Sequence, residues 1–188
     1  MISRLTSLNA NLLILVLLGA TTVAATARGE VVSVDPGGFV SEHTLVLQST
    51  PLEAYVALTR DVHLWWDGSH SFGGGAAGFS LDAQAGGCFC EALPGGGSVQ
   101  HMLVVNANPG HALTMLGGLG PLQSMAVTGS MVLTFAPHRE GSELTYRYSV
   151  GGYAQGGLAM LAEPVDRVQL GQLQRLQQFI ATGQPLNR

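Results

Sequence analysis

Two periods of hydrophobicity divide this chain. Near its end Val165, Val168, Leu173, Leu176, Phe179 and Ile180 recur at steps of three to five, which predicts a helix with one apolar stripe. Gln169, Gln172, Gln174, Arg175, Gln177 and Gln178 fall mostly off that stripe. Such a helix is not stable alone in water and must lay its stripe on another element. Most of the chain before it reads as short strands of period two, so that element is a sheet.

Turn residues punctuate the strands. Residues 39–48 alternate in character, with Phe39, His43, Leu45 and Leu47 on one face and Val40, Glu42, Thr44 and Val46 on the other. Thr50-Pro51-Leu52-Glu53 is a capping box with Pro at the first helical position, and predicts a helix from Pro51 to about Thr59. Asp61 is placed to cap a second short helix through Val62-His-Leu-Trp-Trp66, which Gly68 and Gly73-Gly-Gly75 end. Strands follow at 78–83, 87–93, 99–106, 112–116, 125–135 and 143–150, and the hairpin-like turns between them predict an antiparallel meander. Pro164 starts the last helix or kinks it, which makes 157–162 either a preceding helical turn or a hinged lid. Gly171, in mid-helix, is expected where the helix approaches the sheet closely.

The fold class is α+β: a curved antiparallel sheet of about seven strands, two short helices after strand 1, and a long C-terminal helix packed across the concave face. Ser49-Thr-Pro-Leu-Glu-Ala-Tyr55, Val62-His-Leu-Trp-Trp66, Ala85-Gly-Gly-Cys-Phe-Cys-Glu91 and Val165-Asp-Arg-Val168 carry a resemblance. Over residues 39–180 the chain resembles the helix-grip fold of the START-like, or SRPBCC, superfamily. Within it, the chain is similar to a bacterial branch that groups the chaperone ATPase activator C-terminal domain with polyketide cyclase-like proteins. None of these stretches is a catalytic signature, and a fold does not fix a function. The resemblance implies a deep apolar cavity between sheet and closing helix, used to hold a small hydrophobic molecule (a lipid, an aromatic or a polyketide-like compound).

Composition narrows this picture. The chain has 188 residues, which favours one domain; its eight positive charges are all Arg, its net charge is −4, and no basic stripe exists, so nucleic acid is not an expected partner. Arg4, the apolar run Leu12-Leu-Ile-Leu-Val-Leu-Leu18 and Ala25-Thr-Ala27 have the layout of a secretory signal peptide. The expected organisation is a leader at 1–27, a flexible lead-in at 28–38, the START-like domain at 39–182 and a tail at 183–188. The mature protein is then periplasmic or secreted, with no membrane span after signal removal. There is no GxGxxG after a strand and no Walker loop, and no cofactor is expected.

Alternation nominates the chemistry. Phe89, Glu91 and Leu93 share a strand face, with Cys88 and Cys90 on the other; His101 sides with Val99, Leu103 and Val105; Leu144, Tyr146, Tyr148 and Val150 face away from Arg147. The candidate ligand-binding set is Trp65, Trp66, Phe72, Phe89, Glu91, His101, Tyr146, Tyr148, Met160, Leu161 and Val168. Met160 and Leu161 are expected to close the pocket. Glu91 and His101 are the candidate catalytic pair, able in one cavity to do acid–base work or to orient a polar ligand head. A ligand-binding module is one reading, and a cyclase, dehydratase or hydrolase built on those groups is the alternative. Co-chaperone action conflicts with the leader. Cys88 and Cys90 lie about 6.5–7 Å apart on an extended strand, at or beyond the limit for a disulfide, so buried free thiols are expected, with a distorted or an intermolecular bridge in an oxidising compartment as the alternative. With no second ligand pair beside the Cys-x-Cys motif, no metal is expected.

N-terminal sequencing of the exported protein should begin near Arg28. An intact Met1 would sink the leader assignment.

Overall fold

The computed structural model describes residues 28–186, so the leader assigned to 1–27 lies outside the described residues. The first element, β1 (Arg28–Asp35), occupies most of the stretch expected as lead-in and pairs antiparallel with β2 (Gly38–Leu47). The described sheet therefore has eight strands rather than about seven. β1 escaped the pattern because it is an edge strand: Val32 and Val34 are exposed, so no inside–outside alternation marks it. β2 alternates strictly, with Phe39, Ser41, His43, Leu45 and Leu47 all buried.

Two helices follow. α1 (Pro51–Arg60) starts on the expected capping box, in which Thr50 N donates to Glu53 Oε2 (2.9 Å) and Glu53 N to Thr50 Oγ1 (3.3 Å). α2 (Val62–Trp65) has no side-chain cap; the Asp61 carboxylate expected there takes Arg60 Nε instead, at 2.9 Å. The remaining strands are β3 (Phe79–Leu81), β4 (Cys88–Ala92), β5 (Ser98–Asn108), β6 (Ala112–Leu116), β7 (Ala126–His138) and β8 (Gly141–Tyr153). The spatial order is β1-β2-β8-β7-β6-β5-β4-β3, antiparallel throughout. The sheet is thus an open meander closed back on β2 by β8.

α3 (Ala159–Thr182) contains Pro164 and ends at Gly183, whose left-handed backbone (φ 75°) lets its N–H reach Phe179 O at 2.8 Å. The segment expected as turn or lid thus splits, with Leu158 fully buried just before the helix and Met160 exposed on its first turn. α3 packs on β1 and β2 and on both short helices, while α1 covers parts of β3, β7 and β8. The helix therefore lies toward one end of the sheet rather than across all of it.

Its buried side also differs from the apolar stripe. Ala162, Gln169, Gln172, Leu173 and Leu176 are buried, whereas Val165, Val168, Phe179 and Ile180 are only partly so. Gln172 can face inward because α3 meets a polar group there. Gln172 Oε1 accepts from Asp67 N (2.9 Å), and Gln177 Nε2, further along, donates to Val46 O (2.8 Å). Gly171 does not approach the sheet: a Cβ built on it meets nothing within 4 Å.

Gly171→Ala should therefore stabilise the domain by about 0.5–1 kcal/mol, the helix-interior difference between the two residues. A urea midpoint that falls instead would reveal a contact the fold does not have.

Candidate functional site

A β-bulge organises the first cluster. Phe89 pairs with Met102 but Cys90 pairs with Gln100, so His101 is an extra residue on β5. Simple alternation fails at that point. His101 and Met102 are both buried, Val104 follows them inside, and Leu103 and Val105, expected to share the His101 face, are 38% and 40% exposed. The extra residue brings the His101 ring against Phe79 and Phe89, each at 5.2 Å between centroids, and its Nε2 within 3.1 Å of Glu91 Oε2.

The sequence thus nominated two groups that do meet. Their surroundings decide what they can do. Glu91 is fully buried and accepts four hydrogen bonds: Ser71 Oγ (2.6 Å) and Gly73 N (2.5 Å) on Oε1, Phe72 N (3.1 Å) and His101 Nε2 on Oε2. Burial works against the charged carboxylate, but these donors together outweigh it and hold its pKa below the ordinary value. Burial lowers the His101 pKa more than the Glu91 hydrogen bond and charge raise it. The network therefore assigns a neutral imidazole, protonated on Nε2, with Nδ1 accepting from Gln123 Nε2 at 3.4 Å. A carboxylate with every acceptor position used is a latch for the 71–75 loop rather than a free base. Gly73 belongs to the latch, since a Cβ there would lie 2.9 Å from Glu91 Oε1.

A second polar cluster, Ser41, His43 and Asp166, was not singled out beforehand. Asp166 Oδ1 accepts from Ser41 Oγ (2.5 Å) and faces His43 Nε2 (2.8 Å), joining α3 to β2. The residue types are those of a hydrolytic triad but the geometry is not. Ser41 Oγ and Asp166 both sit at Nε2, and buried Nδ1 has no partner, whereas a triad places acid and nucleophile on opposite ring nitrogens.

Between sheet, α1, α2 and α3 lies a cavity of about 50 Å³. Its walls include Trp65, Trp66, Phe89, Met115, Met131 and Tyr146, and Gln169, Gln172 and Leu173 cover it from α3. No Asp, Glu, Lys, Arg or His lines it. Tyr146 carries a buried hydroxyl without a partner, and burial, with the nearby Tyr148 and Asp166, raises its pKa well above the ordinary tyrosine value. It is a neutral donor. Tyr148, also expected on this wall, instead donates to Gly117 O (3.0 Å) and accepts from Leu119 N (3.4 Å), pinning that loop; burial pushes its pKa up to about 12.

Of the nominated ligand residues, Trp65, Trp66, Phe89 and Tyr146 line the cavity. Glu91 and His101 sit beyond the Phe79–Phe89 pair, outside its walls. Phe72 is 57% exposed on the latched loop, Met160 is 72% exposed, Leu161 is partly buried off the walls, and Val168 faces an outer groove. The α3 register explains the last three: the helix presents Gln169, Gln172 and Leu173 inward. Leu119 and Leu122, in the glycine-bounded loop before β7, are buried without any periodic signal.

Cys88 and Cys90 are joined in a disulfide rather than free. Their Cα atoms are 5.4 Å apart, closer than the spacing of a fully extended strand. Among the described residues no three His, Cys, Asp or Glu side chains gather as metal ligands. No helix among them is long and apolar enough to cross a membrane.

Eight antiparallel strands, two short helices after β2 and a long C-terminal helix over a small apolar cavity define an α+β arrangement of the helix-grip kind. No family model matches the chain, and no curated protein sequence matches it. Solved structures do. MLL2253 from Mesorhizobium loti is 14% identical with a TM-score of 0.55, over 76% of this chain and 96% of that one. CalU16 from Micromonospora echinospora is 14% identical with a TM-score of 0.52, over 85% and 87%. EF2215 from Enterococcus faecalis, a conserved protein of unknown function, is 10% identical with a TM-score of 0.57, over 85% and 80%. At such identities the likeness is one of fold, and it agrees with the START-like resemblance.

The latch has a pH signature. His101 and Glu91 are both held below their ordinary values of 6.5 and 4.5, so the unfolded chain binds the extra protons. Their stabilisation is complete above those values; it falls as pH drops below 6.5 through His101, and falls again below 4.5 through Glu91. The melting-temperature gap between wild type and His101→Gln should be constant above pH 7 and narrow as pH falls toward 5. A gap that widens over that range contradicts the assignment.

Proposed function

We propose that the protein binds a small hydrophobic molecule in the cavity beneath α3 and does no chemistry on it. The observation that carries this reading is Tyr146, a wall residue whose buried hydroxyl has no partner, among side chains otherwise apolar or amide. Leaving such a group unpaired costs about 1–3 kcal/mol, which a ligand acceptor would recover. The absence of charge from the walls selects an apolar body, because an unpaired charge buried there would be strongly unfavourable. The aromatic side chains of Trp66 and Phe89 suit a flat or ring-bearing molecule, and a lipid or polyketide-like body meets the same requirements.

The cavity is smaller than its ligand. A dry cavity of about 150 Å³ is needed to take benzene, so the site must widen on binding. Met115 and Met131, unbranched and flexible, are wall residues suited to yield. The enzyme alternative receives no comparable support, since Glu91 is saturated with donors and Ser41 and His43 lack triad geometry. Export to the periplasm or beyond remains part of the proposal. The Cys88–Cys90 disulfide supports it, as such bonds persist in oxidising compartments.

Native mass spectrometry of protein purified from its own compartment should reveal a co-purifying hydrophobic adduct. Tyr146→Phe should reduce its occupancy several-fold without lowering the melting temperature, because the hydroxyl has no partner in the fold. Repeated preparations free of any adduct, from wild type and variant alike, would defeat the binding-module reading.

A further inference from the structure

Gln172 stands between two spaces. It lines the cavity of about 50 Å³, and it also lines a groove of about 420 Å³ on the outer side of α3, bounded by Asp67, His70 and Leu186. It is only 3% exposed, and the hydrogen bond from Asp67 N to its Oε1 holds it there. Gln172 is thus a wall residue common to the tight inner space and the roomy outer one.

The two spaces differ in charge. The inner walls have none, whereas among the described residues the groove is lined by Arg167 and Arg175 and by one carboxylate residue, Asp67, on a protein of net charge −4. Arg175 is held by two backbone carbonyls, Trp65 O (2.8 Å from Nε) and Leu186 O. Those acceptors fix the guanidinium without cancelling its charge. Neither Arg167 nor Arg175 is ion-paired to a carboxylate among the described residues. Gly171 lies in the same groove, in mid-helix, with no atom within 4 Å of the position a Cβ would take. Packing gives no reason for a glycine there, and its missing side chain leaves the groove floor open.

We propose that the ligand is an anionic amphiphile. Its apolar body passes Gln172 into the cavity, and its carboxylate-like head stays in the groove against Arg175 and Arg167. The inference rests on the cavity reading above and adds the ligand's charge, its orientation and its route.

The test compares 1-naphthoate with 1-naphthol, which share a ring body and differ in charge at neutral pH, by fluorescence titration of the purified protein at low salt. Naphthoate should bind roughly fivefold tighter, the size of one partly exposed ion pair, and added salt should shrink the difference. Arg167→Gln should remove most of the naphthoate advantage and leave naphthol unchanged. Gly171→Gln should weaken naphthoate while the melting temperature holds or rises, which separates groove blocking from damage to the fold. Equal affinities that Arg167→Gln does not move would overturn the anionic amphiphile and leave the cavity reading standing. Binding of neither probe would overturn both.

Discussion

An antiparallel sheet of eight strands exposes a broad apolar face, and α3 is the long element available to cover its β1–β2 end. Burial alone would not fix how that helix lies, because the hydrophobic effect is nondirectional. Direction comes from polar ties along its length. Asp166 meets Ser41 and His43 on β2, Gln172 meets the backbone at Asp67, Arg175 meets Trp65 O, and Gln177 meets Val46 O. These contacts set the rotation of α3, and the rotation decides that Gln169 and Gln172, rather than Val165 and Val168, face the interior. The cavity and the groove are two consequences of one helix register.

The opposite side of the cavity depends on the bulge in β5. Inserting His101 between Gln100 and Met102 adds a polar ring to an aromatic group of Trp66, Phe79 and Phe89. The ring is acceptable there because Glu91 takes its proton donor, and Glu91 is acceptable because the 71–75 loop supplies three more donors. Each member would be costly without the others. The result carries Trp66 and Phe89 to the cavity wall and closes the loop over the sheet edge. It is a structural network that resembles a catalytic pair only when its two titratable members are read alone.

Much of the fold was legible in the sequence because its signals are local. The Thr50–Glu53 capping box, the alternation of β2 and β8, and the glycine-marked turns each report on neighbouring residues. What escaped is set by tertiary contact. β1 shows no inside–outside alternation because it lies at the sheet edge with Val32 and Val34 in solvent. The bulge at His101 leaves no mark in a pattern of alternation and inverts every face assignment beyond it, which is why Leu103 and Val105 were placed wrongly. Ideal strand extension sets Cys88 and Cys90 too far apart for a bond, and their actual Cα separation of 5.4 Å is shorter than that ideal. In the site, the aromatic wall could be read from composition, but the glutamines of α3 could not. A glutamine is assigned to solvent by period, and only a partner such as the Asp67 N–H makes it an inward residue.

The contrast between satisfied and unsatisfied groups bears most directly on function. The strongest acids and bases inside this protein are already bonded: Glu91 to four donors, Asp166 to Ser41 and His43, and Tyr148 to the backbone of the 117–119 loop. Chemistry at any of them would require breaking those bonds at the moment of reaction. Among the buried side-chain groups left without a partner is the hydroxyl of Tyr146, a residue of the cavity wall. An interior that keeps its ions occupied and leaves a neutral donor free supports the proposed reading, in which a molecule is bound rather than transformed. On that reading, selectivity would reside less in the inner wall, which any apolar body of suitable shape would suit, than in the charged ground just outside Gln172.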